Sequence, residues 1–203
     1  MKTVLVTGGT IRLGLVISER LRRDGWRVVT SSHRHDAGAD VVADLSNPMG
    51  AAKLYAETLK ILGEPPDALV NNAALFSGDE KDLLTINLEA PQKLTMLMAG
   101  RECGRGTVVN VLDCRDREGV YGETKRKLRE YTHKAAAMFV DTLRVNAVAP
   151  GPVMVPTMIH EKAGETPLGR PSPEDVAEAV AFLLKARSTT GCIVPVDGGQ
   201  HLQ

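Results

Sequence analysis

Tyr121-Gly122-Glu123-Thr124-Lys125 sets a phenol and an ammonium four residues apart, a spacing that brings both to one face of a helix. A cation there favours the ionised phenol and lowers its pKa, so the pair reads as a proton donor suited to hydride chemistry. Alone the spacing is weak, because such pairs arise by chance and mostly sit on solvated helix faces. Tyr131 makes no competing pair, since it lacks a lysine four residues on.

Hydride chemistry needs a carrier, and the opposite end of the chain has a place for one. Thr7-Gly8-Gly9-Thr10-Ile11-Arg12-Leu13-Gly14 follows the apolar run Thr3-Val4-Leu5-Val6 and precedes a helical pattern. That is the strand–glycine loop–helix context of a dinucleotide fingerprint, in which backbone amides approach a pyrophosphate at the positive helix end. The alternative is a glycine-rich turn that binds nothing. The second apolar run, Val28-Val29-Thr30-Ser31-Ser32, ends in His33-Arg34 rather than in a carboxylate, and the nearest acid, Asp36, lies two residues further on. A ribose 2′-phosphate favours a guanidinium, whereas a bare ribose is usually held by an acid at this point. Arg12 adds a second cation on the same side, so NADPH is expected over NADH. In isolation Arg34 could equally be a solvated loop residue.

These groups need a scaffold to bring them together. Apolar runs recur at 2–6, 27–31, 40–43, 67–71, 106–111, 143–148 and 192–196, and continuous rather than alternating hydrophobicity suits strands buried on both faces. Helical patterns fall between them: Leu13 to Arg23 closed by Gly25, a stretch after Ser46-Asn47-Pro48, Leu88 to Met98, and Ser172-Pro173 opening Val176 to Leu184. The expected fold is a single-domain α/β Rossmann fold, a doubly wound seven-stranded parallel sheet flanked by helices. One domain spans 1–203, with a cofactor half at about 1–110 and a catalytic and substrate half at about 111–203.

With those elements in place the chain resembles the short-chain dehydrogenase/reductase family over nearly its whole length. The resemblance runs from Thr7-Gly8 through Asn71-Asn72-Ala73-Ala74, Asn87, Tyr121-Lys125, Asn146 and Pro150-Gly151 to Asp197-Gly198-Gly199. Two departures from the common pattern are informative. Arg12 occupies the usual middle-glycine position, and Asp113 stands where the catalytic serine is usual. Both look like the pteridine reductase branch, which is similar in its Arg-Leu-Gly loop, its His-Arg after the second strand, and an aromatic residue at the place of Phe76. The ending Pro195 to Leu202 resembles bacterial dihydromonapterin reductases.

The resemblance implies roles residue by residue. NADPH would be held by Gly8, Thr10, Ile11, Arg12, Leu13 and Gly14, by His33, Arg34, Asp44 and Leu45, and by Asn72, Ala73 and Ala74. Tyr121, Lys125, Pro150, Gly151 and Val153 would complete that set. Tyr121 would protonate a ring nitrogen, Lys125 would bind the nicotinamide ribose, Asp113 would assist the proton relay, and Asn87 would support a water link toward Lys125. Arg12, Phe76, Asp113 and Tyr121 would bind a dihydropterin, with Phe76 stacked on it. Asp113 could otherwise be a turn residue, Phe76 a core residue and Asn87 an N-cap. A homotetramer or homodimer is implied, packed through helices near 88–100 and 122–138 that carry Leu94, Met96, Leu97, Met98, Leu128, Ala136, Ala137 and Met138. Only seven residues separate Asp113 from Tyr121, and the substrate lid between Pro150 and Pro167 is short; both segments look trimmed for the family.

Composition narrows the partners. Lys plus Arg and Asp plus Glu each total 25, which gives no positive field for nucleic acid. Cys103, Cys114 and Cys192 form no CxxC pair and no metal cluster with the five histidines, so reduced thiols and no metal are expected. No apolar run approaches the length of a membrane span or signal peptide. A cytoplasmic protein acting on a small molecule, with no membrane or nucleic-acid partner, is the resulting expectation.

Overall fold

The seven apolar runs become seven strands of one parallel sheet: β1 (Thr3–Val6), β2 (Arg27–Ser32), β3 (Val41–Val42), β4 (Ala68–Asn71), β5 (Gly106–Val111), β6 (Leu143–Pro150) and β7 (Ile193–Val196). They lie in the order β3-β2-β1-β4-β5-β6-β7. The structure, a computed structural model, describes residues 1–35, 38–102, 104–115, 117–154 and 166–203, so Asp36, Cys103 and most of the expected lid lie outside the described residues. Strands β1, β4, β5 and β6 are buried along their whole length, as their largely apolar make-up suits, and the polar Asn71, Asn110, Arg144 and Asn146 are buried with hydrogen-bond partners. Strand β3 is shorter than its apolar run. Asp40 turns its carboxylate onto β2 instead, accepting from the Thr30 amide and hydroxyl, each at 2.8 Å.

Helices cover both faces. On one side α1 (Arg12–Arg23) and α6 (Pro173–Lys185) pack together over Val4, Val6, Val70 and Val109. Arg20 joins them through a forked pair to Glu178, at 2.5 and 2.9 Å. On the other side α2 (Gly50–Leu62), α4 (Ala90–Ala99) and α5 (Gly119–Met138) cover Leu5, Leu69, Val108 and Val145. Helix α6 starts where Ser172 and Asp175 cap each other's backbone amides, the reciprocal arrangement that satisfies two otherwise orphaned N–H groups.

The segment before α4 departs from the expectation of one helix beginning at Leu88. Asp79 caps a short α3 (Glu80–Leu84), a π turn follows over Thr85–Glu89, and α4 continues directly. Pro91 has no N–H to return to the carbonyl of Asn87, which loosens the helix to the wider turn at that point. Among residues expected to face symmetry mates, Leu94, Met98, Leu128 and Ala136 are buried in the protomer's own core, while Met96 and Met138 are exposed. The expected interface and the core draw on the same helices because α4 and α5 are apolar on more than one face.

Candidate active site

The carboxyl ends of the central strands open into one cleft of about 560 Å³. It sits where the strand order turns back between β1 and β4, the crevice at which open α/β sheets bind ligands. Its wall contains Gly8, Thr10, Ile11, Arg12, Leu13 and Gly14 from the glycine loop, then His33, Asp44 and Leu45. Asn72, Ala73 and Ala74 after β4, Tyr121 and Lys125 on α5, and Pro150, Gly151 and Val153 after β6 complete the expected set on that wall. Arg34 is exposed and stands outside it, with its amide donating to the Ser32 hydroxyl at 3.0 Å.

The loop is built for close backbone approach. Gly8 has φ +62°, and a Cβ on Gly14 would overlap the Gly8 carbonyl oxygen. Arg12 has φ +52°, alone among the described non-glycine residues in being positive. The backbone thus keeps a glycine-like shape while carrying an arginine, at a cost of about 1–2 kcal/mol. Thr7 ties this loop to β4, its hydroxyl accepting from the Asn72 and Ala73 amides at 3.0 Å each. The Asn72 side chain returns donors to the carbonyls of Thr7 and Gly8, at 2.9 and 3.2 Å.

Two observations test whether a dinucleotide fits. Helix α1 begins with no side-chain cap and no acid in its first turn, which leaves its first amides to an external anion. The Thr10 hydroxyl is buried in the loop without a hydrogen-bond partner among the described residues, a donor that a phosphate oxygen would satisfy. Nearby, Asp44 is held below the usual carboxylate range by hydrogen bonds from the Ser46 hydroxyl and amide, with His33 adding to the effect.

At the other end of the cleft Asp113 gathers three donors. Its carboxylate accepts from the Tyr121 hydroxyl at 3.2 Å, from Arg117 Nε at 2.8 Å and from the Arg115 amide at 2.9 Å. Burial and the Asp113 charge push the Tyr121 phenol up, while Arg117 and Arg115 oppose them. The direction is opposite to that expected from the Tyr–Lys spacing. Lys125 lies 5.8 Å from the phenol ring centre and donates instead to the Val111 carbonyl at 2.9 Å. Burial pulls the lysine down to about 8, with Asp113 opposing.

Phe76 is close to this group but does not line the cleft. Its ring centre lies 4.7 Å from that of Tyr121, tilted by 50°, and the Arg117 guanidinium sits 4.9 Å from it. It is neither core nor an open platform. Asn87 is buried on the π turn, not at an N-cap. Its amide accepts from the Leu75 N–H and donates to the Leu75 carbonyl, both at 2.8 Å, and reaches the Thr124 hydroxyl at 3.4 Å. No described bond joins it to Lys125. Among described residues no cluster suits a metal, and no helix is long and apolar enough to cross a membrane. Cys114 and Cys192 are free thiols. Arg117 and Thr124 are the contributors that sequence reasoning passed over; Thr124 alone had a signal, lying inside the Tyr-to-Lys segment.

A protein-family model described as enoyl-(acyl carrier protein) reductase matches residues 105–201. The chain is 32% identical to a Streptomyces violaceoruber protein named as the second ketoacyl reductase of the granaticin polyketide synthase, over 98% of this chain and 95% of that one. That alignment runs over 238 positions against a chain of 203 residues, so the relative carries insertions this chain lacks. Among solved structures, FolM alternative dihydrofolate reductase 1 from Brucella canis, complexed with NADP, superposes with a TM-score of 0.87 at 30% identity, covering 100% of this chain and 95% of that chain. Another, described as a short chain dehydrogenase/reductase family protein, gives 0.86 at 32% identity, over 100% of this chain and 98% of its own.

Proposed function

The chain belongs to the short-chain dehydrogenase/reductase family, and from that footing we propose that this NADP-dependent reductase converts a dihydropterin to its tetrahydro form. One observation carries the substrate reading: the Tyr121 hydroxyl is bonded to a carboxylate, Asp113, rather than to the hydroxyl donor that would polarise a carbonyl oxygen. Reduction of a C=N bond takes a hydride at carbon and a proton at nitrogen. NADPH, when bound, supplies the hydride.

The chain's own residues do the rest. The amides that open α1, Gly8 and the Thr10 hydroxyl would receive the pyrophosphate, and Arg12 and the rim residue Arg34 would hold the 2′-phosphate. Lys125 would hold the nicotinamide ribose. Tyr121 delivers the proton, and a phenol held protonated by burial keeps that proton until a basic ring nitrogen arrives. Asp113, which lines the open cleft, restores it by passing a proton taken from solvent to the Tyr121 oxygen. A planar heterocycle gains from lying beside an aromatic ring, and Phe76 offers its ring once Arg117 yields part of it. The FolM likeness supports this reading; the ketoacyl reductase relative supports a second, reduction of a 3-oxoacyl thioester or ketone.

The assay is NADPH oxidation with 7,8-dihydropterins, dihydrofolate and a 3-oxoacyl thioester at equal concentrations. Dihydropterin or dihydrofolate turnover is expected to exceed thioester turnover by at least about tenfold, a modest difference of about 1.4 kcal/mol in barrier. Faster turnover of the thioester, with NADPH bound normally, replaces the pterin reading by the carbonyl one.

A further inference from the structure

The segment between Asp113 and Tyr121 has only seven residues, yet it is fastened to α5 at several points. The Arg117 carbonyl lies against Gly122, where any Cβ would overlap it. Arg126 Nη1 donates to that same carbonyl at 3.0 Å, and Arg129 Nη2 donates to the Asp113 carbonyl at 3.1 Å. The seated loop aims the Arg117 side chain back at the site. Its Nε reaches Asp113 Oδ2 at 2.8 Å, on the same oxygen that accepts from Tyr121, and its guanidinium covers Phe76 at 4.9 Å. Both side chains of the ion pair are mostly buried, 17% exposed for Arg117 and 12% for Asp113, so solvent screens the pair weakly.

We infer that Arg117 is a positioning residue: it fixes the Asp113 carboxylate at the Tyr121 hydroxyl and thereby sets the rate of proton delivery. The short loop leaves few residues to hold Asp113 by packing, and one arginine seated on Gly122 does so by charge. The inference rests on Tyr121 as proton donor in the reading above, but not on the identity of the substrate. It makes Arg126 and Gly122 the supports of Arg117, and Arg129 a second hold on Asp113 through its backbone.

The test is a double-mutant cycle of Arg117→Gln and Asp113→Asn, run on whichever substrate class the wild-type chain reduces. Arg117→Gln should lower kcat by on the order of ten- to a hundredfold, the loss expected for a charge-assisted hydrogen bond, while NADPH affinity stays within about twofold of wild type. In the Asp113→Asn background the same change should cost almost nothing, because Arg117 acts through that carboxylate. Arg117→Lys should recover part of the rate, and Gly122→Ala, which unseats the loop, should reproduce the loss. Equal losses from Arg117→Gln with and without Asp113 overturn the inference. Absence of dihydropterin turnover in the wild type overturns only the substrate reading, since the cycle then runs on the carbonyl. If neither class is reduced, a crystal structure of Arg117→Gln decides it: Asp113 turned away from Tyr121 supports the positioning role, and an unmoved Asp113–Tyr121 bond refutes it.

Discussion

The cofactor end of the cleft is walled largely by backbone, and the catalytic end by side chains. At the first, Gly8, Gly14 and the left-handed Arg12 let main chain approach a ligand, and Thr7 and Asn72 staple that main chain to β4. At the second, Tyr121, Asp113 and Arg117 meet through side-chain bonds, with Phe76 packed against two of them. Backbone recognition tolerates almost no added atom, whereas a side-chain network tolerates substitution structurally and loses chemistry. The two ends should therefore fail in different ways.

The largest separation should come from Tyr121→Phe. Removing the hydroxyl takes away the proposed proton donor while the ring still packs on Phe76, so turnover should fall by about 10²–10⁴ with NADPH affinity nearly unchanged. Steady-state kinetics with a fluorescence titration of NADPH reads both; parallel losses of binding and turnover would break the division between the ends. Gly14→Ala is the converse. Its Cβ would overlap the Gly8 carbonyl oxygen, so the change should destabilise the fold by about 3 kcal/mol and remove the extra thermal stability that NADPH confers on the wild type. A thermal melt with and without NADPH checks it, and a Gly14→Ala variant still stabilised by NADPH would show that the loop is softer than its contacts imply. The smallest effect belongs to the rim. Arg34→Asp should shift NADPH-over-NADH selectivity by ~2 kcal/mol, through loss of a charge-assisted contact and new repulsion. Unchanged selectivity would transfer the 2′-phosphate to Arg12, the arginine that lines the cleft itself.

Much of this was legible in the chain. Seven largely apolar runs became seven strands within about two residues of their expected ends, because a strand buried on both faces carries apolar residues at successive rather than alternate positions. The glycine loop was legible because glycine declares backbone conformation directly. The helix before Asn87 was not: Asp79 was a readable cap, but the π turn depends on a proline six residues beyond its start. The Tyr121 shift runs against the direction its spacing implies for a similar reason. Spacing placed Lys125 on the right face, but only the packing showed its ammonium spent on Val111 and an aspartate at the phenol.

The sequence by itself determined the strand order's raw material, the loop that accepts a dinucleotide, and the residue types able to move a proton, since each follows from local periodicity or from a single residue's conformational limits. Tertiary structure alone decided that Arg117 covers Phe76, that Phe76 packs on Tyr121, and that Arg34 stays on the rim. The two Phe76 contacts join residues from separate parts of the chain, with Phe76 and Tyr121 45 positions apart. No local pattern encodes such distances; they exist only once the sheet has closed its core and brought the strand ends to one edge.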